Sequence, residues 1–186
     1  MASDDTRSIA VVHLIRKSNG ILPFRSFLES YLAFQDKTPH DLVLIFKDFE
    51  GDEAGPFLDL LKDVAFVRYD YAGDGGLDLG PYIAVSRSLA YDYFCFLNSF
   101  SIIQSANWLS FLLAGLIENK DVGIVGSSGS WESSSATDPA FPNPHIRTNA
   151  FIIASDLMRS LDFIPVQSKE DARAIESGYE GLSQQI

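Results

Sequence analysis

The chain has 186 residues, of which 46% are hydrophobic and 12% aromatic; this suits one globular domain and excludes an intrinsically disordered chain. Its 25 acidic residues against 14 basic ones give a net charge of −11. Such an acidic surface repels nucleic acid and anionic lipid, so neither is an expected partner. The N-terminal segment does not resemble a signal peptide and no apolar run is long enough to span a membrane, so we expect a cytoplasmic protein.

Apolar runs and amphipathic segments alternate along the chain. Nearly continuous apolar runs are typical of strands buried on both faces, and apolar residues at helical spacing indicate helices between them. The predicted strands are residues 9–15, 42–46, 65–69, 93–97, 122–125 and 149–154. The predicted helices are residues 22–34, 56–62, 81–90, 108–117 and 155–161, the last capped by Ser155. This order predicts an α/β domain with a mostly parallel central sheet and helices on both faces.

We expect a single domain over residues 1–186, with a disordered N-terminus at residues 1–8 and a helical tail at residues 166–186. Residues 126–149, rich in Ser, Pro and Gly, are too many for an idle connection. They are expected either to form an active-site loop or to be flexible. Whether the chain is a piece of a longer protein stays open.

Ligands of open α/β sheets bind beyond the C-terminal ends of the strands. The turn "GDGGLDLG" follows the third predicted strand, and its glycines permit close approach of a ligand to the backbone. The helix after it would favour an anion at its N-terminus. The alternative is an ordinary strand-to-helix turn. Asn98 and Ser99 follow the fourth strand and could contact a ribose or phosphate, or could merely end the strand and cap a helix.

The histidines and the single cysteine do not have the spacing of a zinc site. His13 lies inside the first predicted strand, and we interpret it as a core histidine with satisfied hydrogen bonds. Cys95 lies in an apolar run and is expected to be a buried, inert thiol.

The order of these features resembles that of GT-A glycosyltransferases, above all bacterial rhamnan-synthesis and related polysaccharide transferases. The segments that carry the resemblance are "LDLGPY", "FLNSF", "RTNAFII" and "ESGYEGLSQQI", and it extends from about residue 9 to the C-terminus. It implies a nucleotide-sugar site in which Asp48 meets the base and Asp78 the ribose. The residues that would approach the nucleotide are Gly75, Gly76, Gly80, Asn98 and Ser99.

The resemblance also implies roles for the second half of the chain. Glu176 stands where inverting members of the family place the base that deprotonates the acceptor hydroxyl; the alternative is a solvated charge on a helix. Four residues of the long segment would meet the acceptor or the diphosphate: Trp131, Glu132, His145 and Arg147.

One departure from the family concerns its metal-binding Asp-x-Asp motif, where this chain has Asn98, Ser99 and Phe100. An amide and a benzyl group do not replace two carboxylates as ligands of a hard cation. We therefore predict no metal site made by protein ligands there. Any Mg²⁺ or Mn²⁺ would come with the nucleotide sugar, or Arg147 would neutralise the diphosphate instead.

The function implied by the resemblance is transfer of a sugar from a nucleoside diphosphate donor to a carbohydrate acceptor in polysaccharide synthesis. The lost Asp-x-Asp motif keeps a second interpretation open. In it, the chain is a non-catalytic domain that binds nucleotide sugars or serves assembly.

Overall fold

The structure, a computed structural model, describes residues 7–133 and 138–186. The first four strands and their helices are β1 (Ile9–Arg16), α1 (Ile21–Ala33), β2 (Asp41–Lys47), α2 (Gly55–Asp59), β3 (Val67–Tyr71), α3 (Leu79–Ser88) and β4 (Tyr93–Leu97). The later elements are α4 (Trp108–Ile117), β5 (Ile124–Gly126), β6 (Gly129–Ser130), β7 (His145–Ile146), β8 (Ala150–Ala154), α5 (Ser155–Ser160), α6 (Lys169–Ser177) and α7 (Leu182–Gln185).

Six strands form the central sheet, in the order β3-β2-β1-β4-β8-β5. The pairs β1·β2, β1·β4 and β2·β3 are parallel. Strand β8 is antiparallel to both of its neighbours, so β5 runs in the same direction as β1 to β4. The predicted mostly parallel sheet is confirmed, with β8 as its one reversed strand.

The two faces of the sheet are covered by different helices. On one face, α1, α2 and α4 pack on alternate residues of β1 such as Val11 and Ile15. On the other face, α3, α5, α6 and α7 pack on the residues between them, such as Val12 and Leu14. Both sets of side chains are buried, which explains why β1 has an unbroken apolar run. The predicted helices on both faces are confirmed.

Three local predictions need correction. Strand β3 begins two residues later than predicted, so Asp70 lies within it and not in the turn after it. Helix α3 begins at Leu79, before the predicted start, because Leu79 is buried against the sheet. Ser155 is the first residue of α5 and makes no capping hydrogen bond; its Oγ is buried without a partner among the described residues.

His13 is in the core, but its hydrogen bonds are not satisfied. Its ring stacks on Phe27 with the centroids 3.6 Å apart, and within the described residues neither ring nitrogen has a partner. Burial lowers the pKa of His13 to about 3. The imidazole therefore packs as a neutral aromatic ring.

The structure describes contacts within the segments that were predicted as termini and loop. Ser8, in the predicted disordered segment, donates hydrogen bonds from its backbone N and Oγ to Asp92, while residues 1–6 lie outside the described part. Within residues 126–149, β6 and β7 pair as a two-stranded sheet, and residues 134–137 are not described. In the tail, Ile175 and Leu182 are buried in the core. Across residues 7–133 and 138–186, no helix has both the length and the apolar character needed to cross a membrane.

Candidate functional site

A polar cleft of about 460 Å³ opens beyond the C-terminal end of β4. It is lined by Asp78, Asn98, Ser128, Arg147, Thr148, Asn149 and Glu176. These residues come from the turn before α3, the end of β4, the segment around the β6–β7 sheet and helix α6. Residues from both the earlier and the later parts of the chain therefore line the cleft, which lies at the sheet edge where ligands of α/β sheets bind.

Glu176 faces this cleft from the last turn of α6. Its Oε2 accepts hydrogen bonds from the Thr148 backbone N at 2.7 Å and from Thr148 Oγ1 at 2.6 Å. Its Oε1 has only a long contact, 3.4 Å, with Arg147 Nη1. The side chain is 18% exposed. The alternative of a solvated helix charge is therefore wrong, and Oε1 is the oxygen that is left nearly unengaged.

The position of Glu176 follows from how α6 begins and packs. Ser168 and Asp171 form a capping box that fixes the start of the helix. Ile175 points into the core from the last turn, which places its neighbour Glu176 at the border of the cleft.

Arg147 lies between two carboxylates. Its Nη2 donates to Glu132 Oε2 at 2.7 Å, and its Nη1 contacts Glu176 Oε1. Its backbone N donates to the Ser128 carbonyl at 3.0 Å, so the β6–β7 sheet holds it in place. Glu132 does not line the cleft itself, but it contacts Arg147, which does. The cleft thus holds a cation whose charge is balanced by neighbouring acids.

Directly after β4 the chain has the amide of Asn98, where the family that the sequence resembles has a carboxylate. Asn98 Oδ1 accepts from the Phe100 backbone N at 3.2 Å and from Ser101 Oγ at 3.0 Å. Ser99 is buried, and its Oγ has no partner in the described part of the chain. Asn98, Ser99 and Phe100 do not by themselves fit a divalent cation, because none of the three has a carboxylate and the amide oxygen of Asn98 is already engaged. Throughout the described ranges, no three or more His, Cys, Asp or Glu residues group as a metal site.

A second set of charges lies at the ends of β1 and β2. Arg16 donates to Asp74 through Nε at 2.5 Å and also through Nη2. Lys47 is fully buried; its Nζ donates to the Leu77 carbonyl at 2.5 Å and lies 3.7 Å from Asp74 Oδ1. Burial lowers the pKa of the Lys47 ammonium, and the hydrogen bond from Arg16 lowers the pKa of Asp74.

Asp48 and Asp78 both interact electrostatically with Arg16, and Asp78 also interacts with Lys47. Asp48 follows β2 with a positive φ of 66° and donates its backbone N to the Tyr71 carbonyl at 3.0 Å. Such a backbone conformation is uncommon outside glycine and recurs at functional sites. Asp78 is half-buried before α3, and burial raises the pKa of its carboxyl against the opposing effect of Lys47 and Arg16.

The glycine-rich turn packs tightly on Tyr71. Gly76 has a φ of +78°, and a Cβ there would lie 2.8 Å from Tyr71 Oη. A Cβ on Gly80 would lie 3.1 Å from the same oxygen, whereas one on Gly75 would meet nothing within 4 Å. The turn therefore requires Gly76 for its own conformation, and its predicted contact with a nucleotide stays a prediction.

Two of the predicted acceptor residues lie away from the polar cleft. Trp131 and His145 line a separate depression together with residues such as Ile186. His145 is buried and its Nδ1 bonds to the Asn143 carbonyl at 2.8 Å. Of the four residues predicted in this segment, Arg147 alone lines the polar cleft.

Sequence reasoning missed several polar residues near the strand ends. Arg16 ends β1 and Lys47 ends β2, and the rule that ligands meet strand ends would have singled out both. Thr148 and Asn149 of the cleft wall fall inside the predicted loop 126–149 but were not singled out within it, because only the reversed direction of β8 brings them to this edge.

No protein-family model and no curated protein sequence matches this chain. Solved structures do. The chain is similar to the mannosyltransferase PcManGT from Pyrobaculum calidifontis, in complex with GDP-Man and Mn²⁺, with a TM-score of 0.60 and 12% identity over 84% of this chain and 47% of that one. It is similar to glucosyl-3-phosphoglycerate synthase from Mycobacterium tuberculosis, in complex with UDP, with a TM-score of 0.58 and 12% identity over 86% of this chain and 61% of the other. The fold is of the GT-A type.

A third similar structure is 4-diphosphocytidyl-2C-methyl-D-erythritol synthase from Anaerococcus prevotii, with a TM-score of 0.60 and 11% identity over 91% of this chain and 81% of that one. Its name describes a different product from those of the first two. The chain spans less than two thirds of the length of the mannosyltransferase and of the glucosyl-3-phosphoglycerate synthase. These likenesses establish the fold; the narrower resemblance to rhamnan-synthesis transferases stays a prediction.

Proposed function

We propose that this chain transfers a sugar from a nucleoside diphosphate donor to a carbohydrate acceptor in polysaccharide synthesis in the cytoplasm. The observation that carries the proposal is the polar cleft, where Asp78, Asn98 and Glu176 converge at the C-terminal edge of a GT-A-type sheet. The names of the similar mannosyltransferase and glucosyl-3-phosphoglycerate synthase, with bound GDP-Man and UDP, support a nucleotide-sugar donor.

In this proposal the nucleotide lies along the ends of β1, β2 and β4. Asp48 accepts the ring N–H of a uracil- or thymine-type base, and Asp78 accepts a ribose hydroxyl. Asn98 lies next in the cleft and can donate its amide N–H to the ribose or the diphosphate, because its Oδ1 is the atom that is engaged.

Glu176 is the base in this reaction. The acceptor oxygen forms a bond to the anomeric carbon, the bond from that carbon to the diphosphate oxygen breaks, and the electron pair leaves with the nucleoside diphosphate. The acceptor proton passes to Glu176 Oε1, while Thr148 holds Oε2. Arg147 contacts this Oε1, and in this proposal it stabilises charge on the departing diphosphate. No step is assigned to a metal, since the strand-end residues do not fit one.

A second candidate function is binding of a nucleotide sugar without turnover. Two observations favour it: the amide of Asn98 in place of a carboxylate, and the full engagement of Glu176 Oε2 by Thr148. A carboxylate held in this way could serve only to join α6 to the segment before β8.

Calorimetry with UDP-, dTDP-, GDP- and CDP-sugars, each with and without Mn²⁺, separates the two candidates when it is paired with an assay of nucleoside diphosphate release. Binding with release of the diphosphate supports the transferase. Binding with no release, even with a panel of acceptor sugars, supports the second candidate. If no nucleotide sugar binds under either condition, both are wrong.

A further inference from the structure

An open groove of about 740 Å³ lies beside the polar cleft and shares Asn98 and Asn149 with it. Its walls come from the segment after β4 and from α4. Phe100 and Phe111 are 65% and 67% exposed, and Ile102 is 51% exposed. Large apolar side chains that are grouped and exposed on a monomer are typical of a binding surface.

The groove is lined without a single charged residue among the described ones, although 21% of the chain is charged and its net charge is −11. Its polar lining residues are all amides and hydroxyls, including Asn98, Ser101, Gln104 and Asn149. A phosphate or carboxylate would find no cation there. A purely aliphatic chain would leave the amides unpaired. This combination of aromatic rings with neutral donors and acceptors matches an uncharged sugar, which has apolar C–H faces and hydroxyl edges.

Trp108 is a third aromatic residue of this wall. It lines the groove, and its indole Nε1 is shielded from water with no hydrogen-bond partner among the described residues. A shielded indole N–H normally has an acceptor. Because this N–H is shielded, Trp108 lines the groove through its other atoms.

We propose that this groove binds the acceptor and that the acceptor is an uncharged carbohydrate. The proposal rests on the transferase function given above and adds the acceptor's class and its location. The groove meets the polar cleft at Asn98 and Asn149, and Glu176 lines that cleft together with both of them. A sugar that stacks on Phe100 and Phe111 can thus extend one hydroxyl past Asn149 towards Glu176 Oε1. Trp131 and His145, which were predicted to meet the acceptor or the diphosphate, line a different depression.

Tryptophan fluorescence tests this placement, because the chain has only two tryptophans. In Trp131→Phe the one remaining tryptophan is Trp108, in the groove. The probes are the neutral trisaccharides maltotriose, cellotriose and chitotriose, with trigalacturonic acid as the charged comparison. We expect at least one neutral probe to change the Trp108 emission in a saturable way and the charged probe to leave it unchanged. In the reciprocal Trp108→Phe variant the emission of Trp131 should not respond.

The variant Phe111→Ala tests the stacking surface. Since the ring is exposed, its removal should leave the fold intact, and we expect it to weaken binding of the responsive trisaccharide about tenfold. Leu22→Ala is the matched control: Leu22 is an equally exposed helix residue, at 68%, that does not line the groove. Nucleotide-sugar affinity, measured by calorimetry, should be the same in both variants as in the parent.

Several outcomes would overturn the proposal. Among them are equal binding of trigalacturonic acid, a response at Trp131 only, and saturable binding of neutral phosphatidylcholine vesicles that Phe111→Ala abolishes. A dimer in sedimentation analysis that dissociates in Phe111→Ala would show that a second copy covers the groove. If the parent binds a nucleotide sugar but none of the trisaccharides, the acceptor groove is wrong and the donor site stands. If it binds a trisaccharide but no nucleotide sugar, the proposed transfer is wrong instead.

Discussion

The polar cleft is built from two halves of the chain that reach it by different routes. Residues 7–97, the N-terminal half, alternate strand and helix, and every strand pair within this half is parallel. Residues 98–186, the C-terminal half, insert the reversed strand β8 between β4 and β5 and add α6 across the edge. Of the residues that line the cleft, the N-terminal half supplies Asp78, and the C-terminal half supplies Asn98, Ser128, Arg147, Thr148, Asn149 and Glu176.

Because of this difference, we expect substitutions in the two halves to affect different properties of the protein. The N-terminal half holds the most deeply buried strands and a tight turn on Tyr71, so changes there should act on folding or on the donor. The C-terminal half holds the polar groups that would meet the acceptor, so changes there should act on turnover.

The largest effect is expected for Glu176→Gln in the C-terminal half. The amide keeps an oxygen for Thr148 but cannot take a proton, so turnover should fall about 10²- to 10⁴-fold while nucleotide-sugar affinity stays unchanged. Glu180→Gln, on an exposed residue four positions on, is the control and should keep full activity. Steady-state diphosphate release and calorimetry measure the two quantities. Equal turnover of the Glu176→Gln and Glu180→Gln variants would leave Glu176 with a structural role only.

The next prediction is that His13, in the N-terminal half, makes the stability of the protein depend on pH. The native state keeps His13 neutral down to a pKa of about 3, whereas the unfolded chain takes up its proton near pH 6.5. The unfolded state therefore binds more protons between these values, and stability falls as the pH falls. Between pH 7 and 4.5 this should cost about 3 kcal/mol. Urea unfolding of the parent and of His13→Leu should show the steeper loss in the parent, and parallel curves would refute the assignment.

Asp48→Ala tests whether the N-terminal half binds the base. Losing a hydrogen bond to a charged acceptor costs about 1.5–3 kcal/mol, so nucleotide affinity should fall roughly ten- to a hundredfold. Asp52→Ala, an exposed acid of the same loop, is the comparison and should bind as the parent does. Circular dichroism must first show both variants folded. Should the two bind equally well, the base lies elsewhere.

Gly76→Ala should give the smallest of these effects, and the quantity it changes is the stability of the fold. The positive φ and the 2.8 Å approach of a Cβ to Tyr71 Oη should lower the free energy of unfolding by about 1–3 kcal/mol. Gly75→Ala, where a Cβ meets nothing within 4 Å, should change it little. Adding Tyr71→Phe to Gly76→Ala removes the closest atom and should recover part of the loss. No recovery would indicate that φ alone causes the strain.

The same two halves explain what the sequence could predict. Strands such as β1 and β2 are buried on both faces, so their residues are apolar in an unbroken run and their positions were predicted to within about two residues. The direction of β8 could not be predicted, because its residues are equally apolar whether the strand runs up or down. The contact between Glu176 and Thr148 joins residues far apart in the chain, and no local pattern encodes it.

Sequence patterns also misjudge single polar atoms. The local sequence of His13 correctly indicated a core position, but nothing in it showed that both ring nitrogens would lack partners among the described residues. The charge of Lys47 gave no sign that its side chain would be fully buried against the Leu77 carbonyl. Such details depend on the packing of several elements at once, which a linear pattern does not contain.

The sheet order has a consequence for how the chain folds during synthesis. In the folded sheet β4 lies between β1 and β8, so during synthesis its second edge lacks its native partner until β8 has been made. Strand β5 emerges earlier than β8, but in the folded sheet its partner is β8 and not β4. Until residue 154 is available, the nascent chain carries an apolar strand edge open to other chains. Slow translation or a pause between β5 and β8 should therefore favour aggregation or chaperone binding, and the protein should become resistant to both once β8 has inserted.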